Sequence, residues 1–288
     1  MSFEKLSTIL KEADANKTAS LGFNCHSYSS VAWEIEAAEE LGIPAIVMMH
    51  PGSDKYISIE GLAKITKTLA KKAKVPIALH LDHCESYETI MRAIKAGFTS
   101  VMYDGSRLPF EENVRCTCEV VKAAHAFGVD VEAELGRVGM AANKDDFKNE
   151  DLYTSVAQAT DFIAKTNADA LAIAIGNAHG YYVEMPHLDL TRLKEINKAI
   201  DTPLVLHGGT GIPVDQLKQS FKLGINKLNL ATEYFALFYN TTRDYQQVKD
   251  KKDNIFGLLD YQKQVVKDYL CAKFALTMPE SKTAKVTR

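Results

Sequence analysis

Leu79-His80-Leu81-Asp82-His83 is the stretch of this sequence in which chemistry is most concentrated. It continues an apolar run, Pro76-Ile77-Ala78-Leu79, and precedes Ser86, a residue suited to cap a helix. That is the pattern of a buried strand that ends at a loop. Side chains alternate along a strand, so His80 and Asp82 share one face. His83 is expected just past the strand, where a turn lets its ring point elsewhere. A carboxylate and an imidazole at a strand mouth suit a general acid/base beside a metal ligand. Taken alone, the motif fits a pair of structural polar groups equally well.

Two further histidines change this balance. His179 and His207 also follow strand-like runs, so three of the chain's eight histidines fall at such ends. Three imidazoles with an open fourth position describe a catalytic zinc site. Asp104 and Glu134 follow two other runs and are candidates for further metal ligands, or for carboxylates that orient the histidines. Helix capping and surface ion pairing explain them equally well. His26 and His50 follow the first two runs and are placed to line a pocket, with no metal role; none is assigned to His80, His125 or His187 either.

The run His207-Gly208-Gly209-Thr210-Gly211-Ile212-Pro213 is a second signal. Glycines let backbone N–H groups approach an anion, and Pro213 suits the start of a helix. Asn229-Leu230-Ala231-Thr232 closes the next run with amide and hydroxyl donors. Together the two segments read as a phosphate pocket. Residues 136–151 form a long, polar, glycine-flanked stretch that reads as a lid or as an idle surface excursion.

These residues need elements that bring strand ends together. Apolar runs expected as strands lie at 21–25, 44–49, 77–82, 99–103, 129–134, 170–175, 204–206 and 227–230, with helical patterns between them. A helix over 3–15 leads in, and a long helical region starts at Tyr234. The runs are continuous rather than alternating, as expected of strands covered on both faces. Gly42, Gly97, Gly128 and Gly224 close helices before the next strand. Eight such units predict an α/β fold, a (β/α)8 TIM barrel forming a single domain over 1–288 with a C-terminal helical extension. A doubly wound open sheet is the alternative. In a barrel, catalytic groups gather where strands end.

Composition sets the outer bounds. The chain has 288 residues, 46% hydrophobic and 25% charged, with a net charge of −3, so no basic field points to nucleic acid. No apolar run is long enough to span a membrane, and the start lacks a signal-peptide pattern. Lys282, Lys285 and Arg288 read as a solvated tail. The five cysteines show neither a disulfide framework nor zinc-knuckle spacing, which fits a reducing, cytoplasmic compartment.

Six segments together carry a resemblance. They are residues 79–83, 100–106 (Ser-Val-Met-Tyr-Asp-Gly-Ser), 132–136 (Glu-Ala-Glu-Leu-Gly), 172–176 with 178–180, 206–210 (Leu-His-Gly-Gly-Thr) and 229–233 (Asn-Leu-Ala-Thr-Glu). In this order, over roughly 20–235, the chain resembles the class II, zinc-dependent ketose-bisphosphate aldolases, especially their tagatose-bisphosphate branch. The resemblance implies that His83, His179 and His207 bind zinc and that Asp82 is the proton donor and acceptor. It implies that Gly180, Gly208, Gly209, Thr210, Asn229, Leu230, Ala231 and Thr232 hold dihydroxyacetone phosphate. Asn24, at the first strand end, is a further substrate-binding candidate. A monovalent cation (Na+ or K+) near the phosphate, and a homodimer or homotetramer, are also implied. The metal then serves as the electron sink, in place of the lysine Schiff base of class I enzymes.

Two segments depart from the family. The lid reads Gly139-Met140-Ala141-Ala142-Asn143 where the family carries Gly-Gly-x-Glu-Asp, leaving Asp145 or Asp146 as the source of a lid carboxylate. The C-terminal part lacks the usual arginine pattern for the distal substrate end, with Arg243 the candidate. The expected reaction is cleavage of tagatose 1,6-bisphosphate to dihydroxyacetone phosphate and glyceraldehyde 3-phosphate. Alternatives are fructose 1,6-bisphosphate, a ketose 1-phosphate with an unphosphorylated acceptor end, a metal-dependent hydrolase or isomerase, and a subunit that needs or supports an accessory partner.

Overall fold

The computed structural model describes residues 2–279, so the expected tail residues Lys282, Lys285 and Arg288 lie outside the described residues. Its strands are β1 (Ser20–Asn24), β2 (Ala45–Met49), β3 (Ile77–Cys84), β4 (Ser100–Tyr103), β5 (Asp130–Leu135), β6 (Gly139–Met140), β7 (Ala170–Ile173), β8 (Ala178–His179), β9 (Leu204–Leu206) and β10 (Ile225–Leu230). Eight of them close into a parallel barrel in the order β1-β10-β9-β7-β5-β4-β3-β2. Closure excludes the open doubly wound sheet. β6 and β8 form a separate two-stranded sheet above the barrel, an element that no sequence period announced.

The barrel strands are buried on both faces, which accounts for their continuous apolar runs. Ile77, Leu79 and Leu81 of β3 pack outward against the helices, and Ala78 packs inward with Ile46, Met48, Ala170, Ala172 and Val205. The first helix, α1 (Leu6–Ala15), adds Leu6, Ile9 and Leu10 to that inner cluster and so plugs the N-terminal end of the barrel. Asp130, at the start of β5, accepts a hydrogen bond from Ser7 N at 2.7 Å, serving a helix start whose own cap residue, Lys5, makes no side-chain cap.

Local signals set the helix ends. Ser27 and Ser30 form a reciprocal capping box at the start of α2 (Tyr28–Leu41). Ser86 accepts from Thr89 N at the start of the helix Tyr87–Ala96. Gly42 and Gly97 end these helices with left-handed backbones. The C-terminal helices Thr232–Asp244 and Ile255–Phe274 cover the outer face of β1. There Phe23 meets Tyr234 and Phe274, each at a ring-centroid distance of 5.3 Å.

Beneath these helices, Cys25 donates to Glu34 Oε2 at 3.2 Å, and Glu34 has no exposed surface. No cation pairs with Glu34 among the described residues, and burial raises its carboxyl well above the usual range. A carboxyl with a raised folded pKa binds its proton more tightly folded than unfolded, so its contribution falls as pH rises above its unfolded value. Glu34→Gln removes that slope. The expected outcome is a melting-temperature advantage of Glu34→Gln over wild type that grows from pH 5 to pH 8; a pH-independent difference would contradict a buried neutral carboxyl.

Candidate active site

The C-terminal mouth of the barrel opens into a cavity of about 380 Å³. β3 supplies two consecutive residues to it by breaking its own alternation. Asp82 lies on the inward face with His80. Regular alternation would turn His83 outward with Leu79 and Leu81. Instead β3 runs on to Cys84, its register shifts between Leu81 and Cys84, and His83 takes a left-handed φ of 46°. His83 is therefore inside the strand, at a bulge, and not beyond its end as the sequence suggested. Such a backbone costs a non-glycine residue about 1–2 kcal/mol and brings the ring back over the barrel mouth.

Three histidines converge there. His83, His179 and His207 each present a ring nitrogen within 4.8 Å of the others. Their outward nitrogens are already held by carboxylates in two cases. His83 Nδ1 lies 2.9 Å from Asp104 Oδ2, and His207 Nε2 lies 2.9 Å from Glu132 Oε1. A carboxylate only accepts, so both nitrogens are donors, which leaves His83 Nε2 and His207 Nδ1 facing each other at 2.5 Å. His179 Nε2 is buried without a hydrogen bond, as is Glu134 Oε2. Converging imidazole nitrogens, with tautomers set by carboxylates behind them, fit a zinc ion by donor type and orientation.

The charges around the cluster are strongly coupled. Burial alone would lower His83, but Asp82, Asp104 and Glu134 outweigh it and raise the ring to about 10. His179 is pushed down to about 3 by burial and by the neighbouring His83 and His207. Burial and Asp104 raise Glu134 to about 8. Burial would also raise Asp82, yet His83, His207 and Lys227 hold its carboxyl well below the usual range. Both Asp82 oxygens accept amide hydrogen bonds at 2.8 Å, Oδ2 from Asn24 and Oδ1 from Asn229.

Below this layer lies a buried network that the sequence reading left without a role. Lys227 donates to Glu132 Oε2 at 2.7 Å, and both residues have no exposed surface. Burial would raise Glu132, but Lys227, His80 and His207 together outweigh it and hold its carboxyl below the usual range. His80 joins the same layer through Ser100, at 2.8 Å from Nδ1 to Oγ. Strand alternation contained a signal for this network, because Glu132 and Glu134, like Lys227 and Asn229, are two residues apart on inward faces.

Opposite the carboxylates, Gly180, Gly208, Thr210, Asn229, Ala231 and Thr232 line the cavity, together with Asn24. Gly208 has φ +66°, and a Cβ there would fall 2.0 Å from Ala178 O. Gly209 and Leu230 do not line it. Gly209 packs where a Cβ would meet Leu228 at 2.7 Å, and Leu230 belongs to the outer core. His50 lines the cavity, but His26 packs edge-on against Phe235 and Phe238.

Residues 136–151 are ordered by contacts of their own. β6 pairs with β8, so that Met140 is in register with His179, and Ala141 N donates to His179 O at 2.8 Å. Phe147, on the short helix Lys144–Lys148, packs with Ala141, Ala178 and Tyr182. Asp146 lines the cavity and Asp145 does not; Asp146 also accepts from Met140 N at 2.9 Å and so holds the turn. Arg243, expected near the distal substrate end, is exposed, pairs with Asp244 and stands outside the cavity.

A family model described as "Fructose-bisphosphate aldolase class-II" matches residues 4–281. The fold is similar to that of the YdjI aldolase from Escherichia coli K12, at 32% identity and a TM-score of 0.87, covering 98% of this chain and 99% of that one. A proposed fructose-1,6-bisphosphate aldolase from Coccidioides immitis is similar at 28% identity and a TM-score of 0.83, covering 98% of each chain. The fructose-bisphosphate aldolase of Campylobacter jejuni, at 22% identity and a TM-score of 0.80 over 96% of this chain and 95% of that one, adds a likeness of fold.

The Glu132 contact gives a test of histidine orientation. Glu132→Gln keeps the shape but offers His207 a weaker and ambiguous partner. Zinc affinity, read by competition with a chelator, is expected to fall about 10- to 100-fold. Unchanged affinity would show that Glu132 does not orient His207.

Proposed function

The chain belongs to the class II fructose-bisphosphate aldolase family and is an aldehyde-lyase; from that premise we propose that it cleaves tagatose 1,6-bisphosphate reversibly, in preference to fructose 1,6-bisphosphate, giving dihydroxyacetone phosphate and glyceraldehyde 3-phosphate. The observation that carries this reading is Asp82, anchored by Asn24 and Asn229 beside three converging histidines. His83, His179 and His207 would hold zinc, with Asp104 and Glu134 behind or beside them. When bound, zinc supplies a Lewis acid for the ketone oxygen of the triose half.

Asp82 takes the proton of the C4 hydroxyl as the C3–C4 bond breaks, and returns it in condensation. Its two amide partners keep the carboxylate in one orientation and in its charged form. Gly180, Gly208, Thr210, Asn229, Ala231 and Thr232 hold the phosphate end through backbone N–H groups and short polar side chains. Lys227 supports a metal mechanism over a Schiff base, because its ammonium is buried in an ion pair with Glu132. The preference for tagatose rests on the resemblance of Asn229-Leu230-Ala231-Thr232 to that branch.

The same proposal includes a monovalent cation by the phosphate, a homodimer or homotetramer, and an accessory subunit. The five cysteines, all free, support a reducing cytoplasmic setting. No helix of the described residues is long and apolar enough to cross a membrane.

Two measurements test this reading. Asp82→Asn is expected to lower turnover by about 10²- to 10⁴-fold with zinc content unchanged, and full turnover would remove Asp82 from the mechanism. Dihydroxyacetone phosphate release from the tagatose and fructose bisphosphates, measured side by side, is expected to stop on chelation and return with zinc. Turnover that survives proven metal removal would overturn the metal assignment, and a faster fructose reaction would reverse the substrate order.

A further inference from the structure

Six arginines fall among the described residues, and four are in ion pairs. Arg92 pairs with Asp54 and Glu60, Arg115 with Glu112 and Glu119, Arg192 with Asp189, and Arg243 with Asp244. Arg107 and Arg137 have no ion pair among the described residues. Both line the active-site cavity, and no other arginine or lysine does. Both also line an adjoining cleft of about 340 Å³, which shares Ser106, Arg107 and Arg137 with the main cavity. The two residues, both exposed, therefore stand where the two spaces adjoin.

Their position in the barrel gives them a direction. Arg107 follows β4 and Arg137 follows β5. In the closed strand order, β4 lies four strands from β10, and β5 four strands from β1. The segments read as the phosphate cradle follow β8, β9 and β10. A ketose phosphate anchored there runs its far end across the mouth, toward β4 and β5. The near wall of that path is acidic, with Asp82, Asp104, Glu134 and Asp146 all lining it. A neutral polyol end would meet hydrogen-bonding groups there without needing two unneutralised cations. Guanidinium groups pair with planar or tetrahedral oxyanions through paired N–H donors. Across the cleft, Tyr153 is fixed by donating to Phe147 O at 2.8 Å, and Asp151, the one carboxylate on its wall, keeps an anion at the arginines.

We propose that Arg107 and Arg137 receive an anionic group, phosphate or carboxylate, at the far end of the acceptor half of the substrate, and so select for anion-terminated substrates. This rests on the aldolase reading for which end of the substrate is which. Neither residue touches the reacting atoms; both act on specificity.

The test reads binding by calorimetry on the zinc-loaded full chain, with three non-cleavable ligands. Glucitol 6-phosphate has one anionic end, whereas glucitol 1,6-bisphosphate and gluconate 6-phosphate have two. Wild type is expected to bind one or both ligands with two anionic ends about 10- to 100-fold more tightly than glucitol 6-phosphate, and the tighter of the two identifies phosphate or carboxylate. In Arg107→Gln/Arg137→Gln this ratio falls to about one, each single variant loses part of it, and Arg107→Lys/Arg137→Lys retains an intermediate ratio. Equal affinities in wild type, or a ratio unchanged in the double glutamine variant, would overturn the inference. Solvent deuterium exchange into dihydroxyacetone phosphate needs no acceptor. Its absence in the wild type would count against the aldolase reading, while the affinity ratio judges the arginines.

Discussion

A carboxylate in the dry interior of a β-barrel has to be paired, and Glu132 is paired twice. One oxygen accepts from Lys227 and the other from His207. An unpaired charge at that depth would cost several kcal/mol, so the three residues stand or fall together. The pairing also settles which nitrogen of His207 is left to face the site. A polar layer that would weaken an ordinary barrel core thus becomes the floor on which the histidine cluster is oriented. The apolar layer beneath it, plugged by α1, keeps water out from the other end.

Above that floor, the site depends on one local departure from regular structure. Adjacent residues on a strand face opposite ways, and Asp82 and His83 both serve the same cavity only because β3 bulges at His83. Asp104 and Glu134 then stand around the His83 ring, from two neighbouring strands. The strain at His83 is offset by charge-assisted contacts that a regular strand could not make. The β6–β8 pair links the cover of the site to the His179 segment by backbone hydrogen bonds, so cover and cluster share one scaffold.

The mouth is also divided by sign. The side over β9 and β10 offers glycine backbone and neutral donors, the centre carries carboxylates and imidazoles, and the edge over β4 and β5 carries Arg107 and Arg137, which have no ion pair among the described residues. An elongated substrate lying across the mouth meets these three environments in order. This division follows from barrel closure, which sets opposite strands about one barrel diameter apart.

Much of this was legible in the sequence, because strands covered on both faces must be apolar throughout and must end where polar residues begin. That rule located the eight strands and brought Asp82, Asp104, Glu134 and His207 to their C-terminal ends, whereas His83 lies at a bulge inside its strand and His179 on the separate strand β8. Ser86, Gly42 and Gly97 marked helix ends because caps are local chemistry. What the sequence withheld was pairing across long separations. Glu132 and Lys227 are 95 residues apart, and the two nitrogens that meet between His83 and His207 are separated by 124. The sequence also offered Arg243 for the distal end, where the fold presents Arg107 and Arg137. Local pattern determined which residues stand at the mouth of the barrel. Only closure of the barrel decided which of them face one another, because register and curvature belong to the whole sheet and not to any one strand.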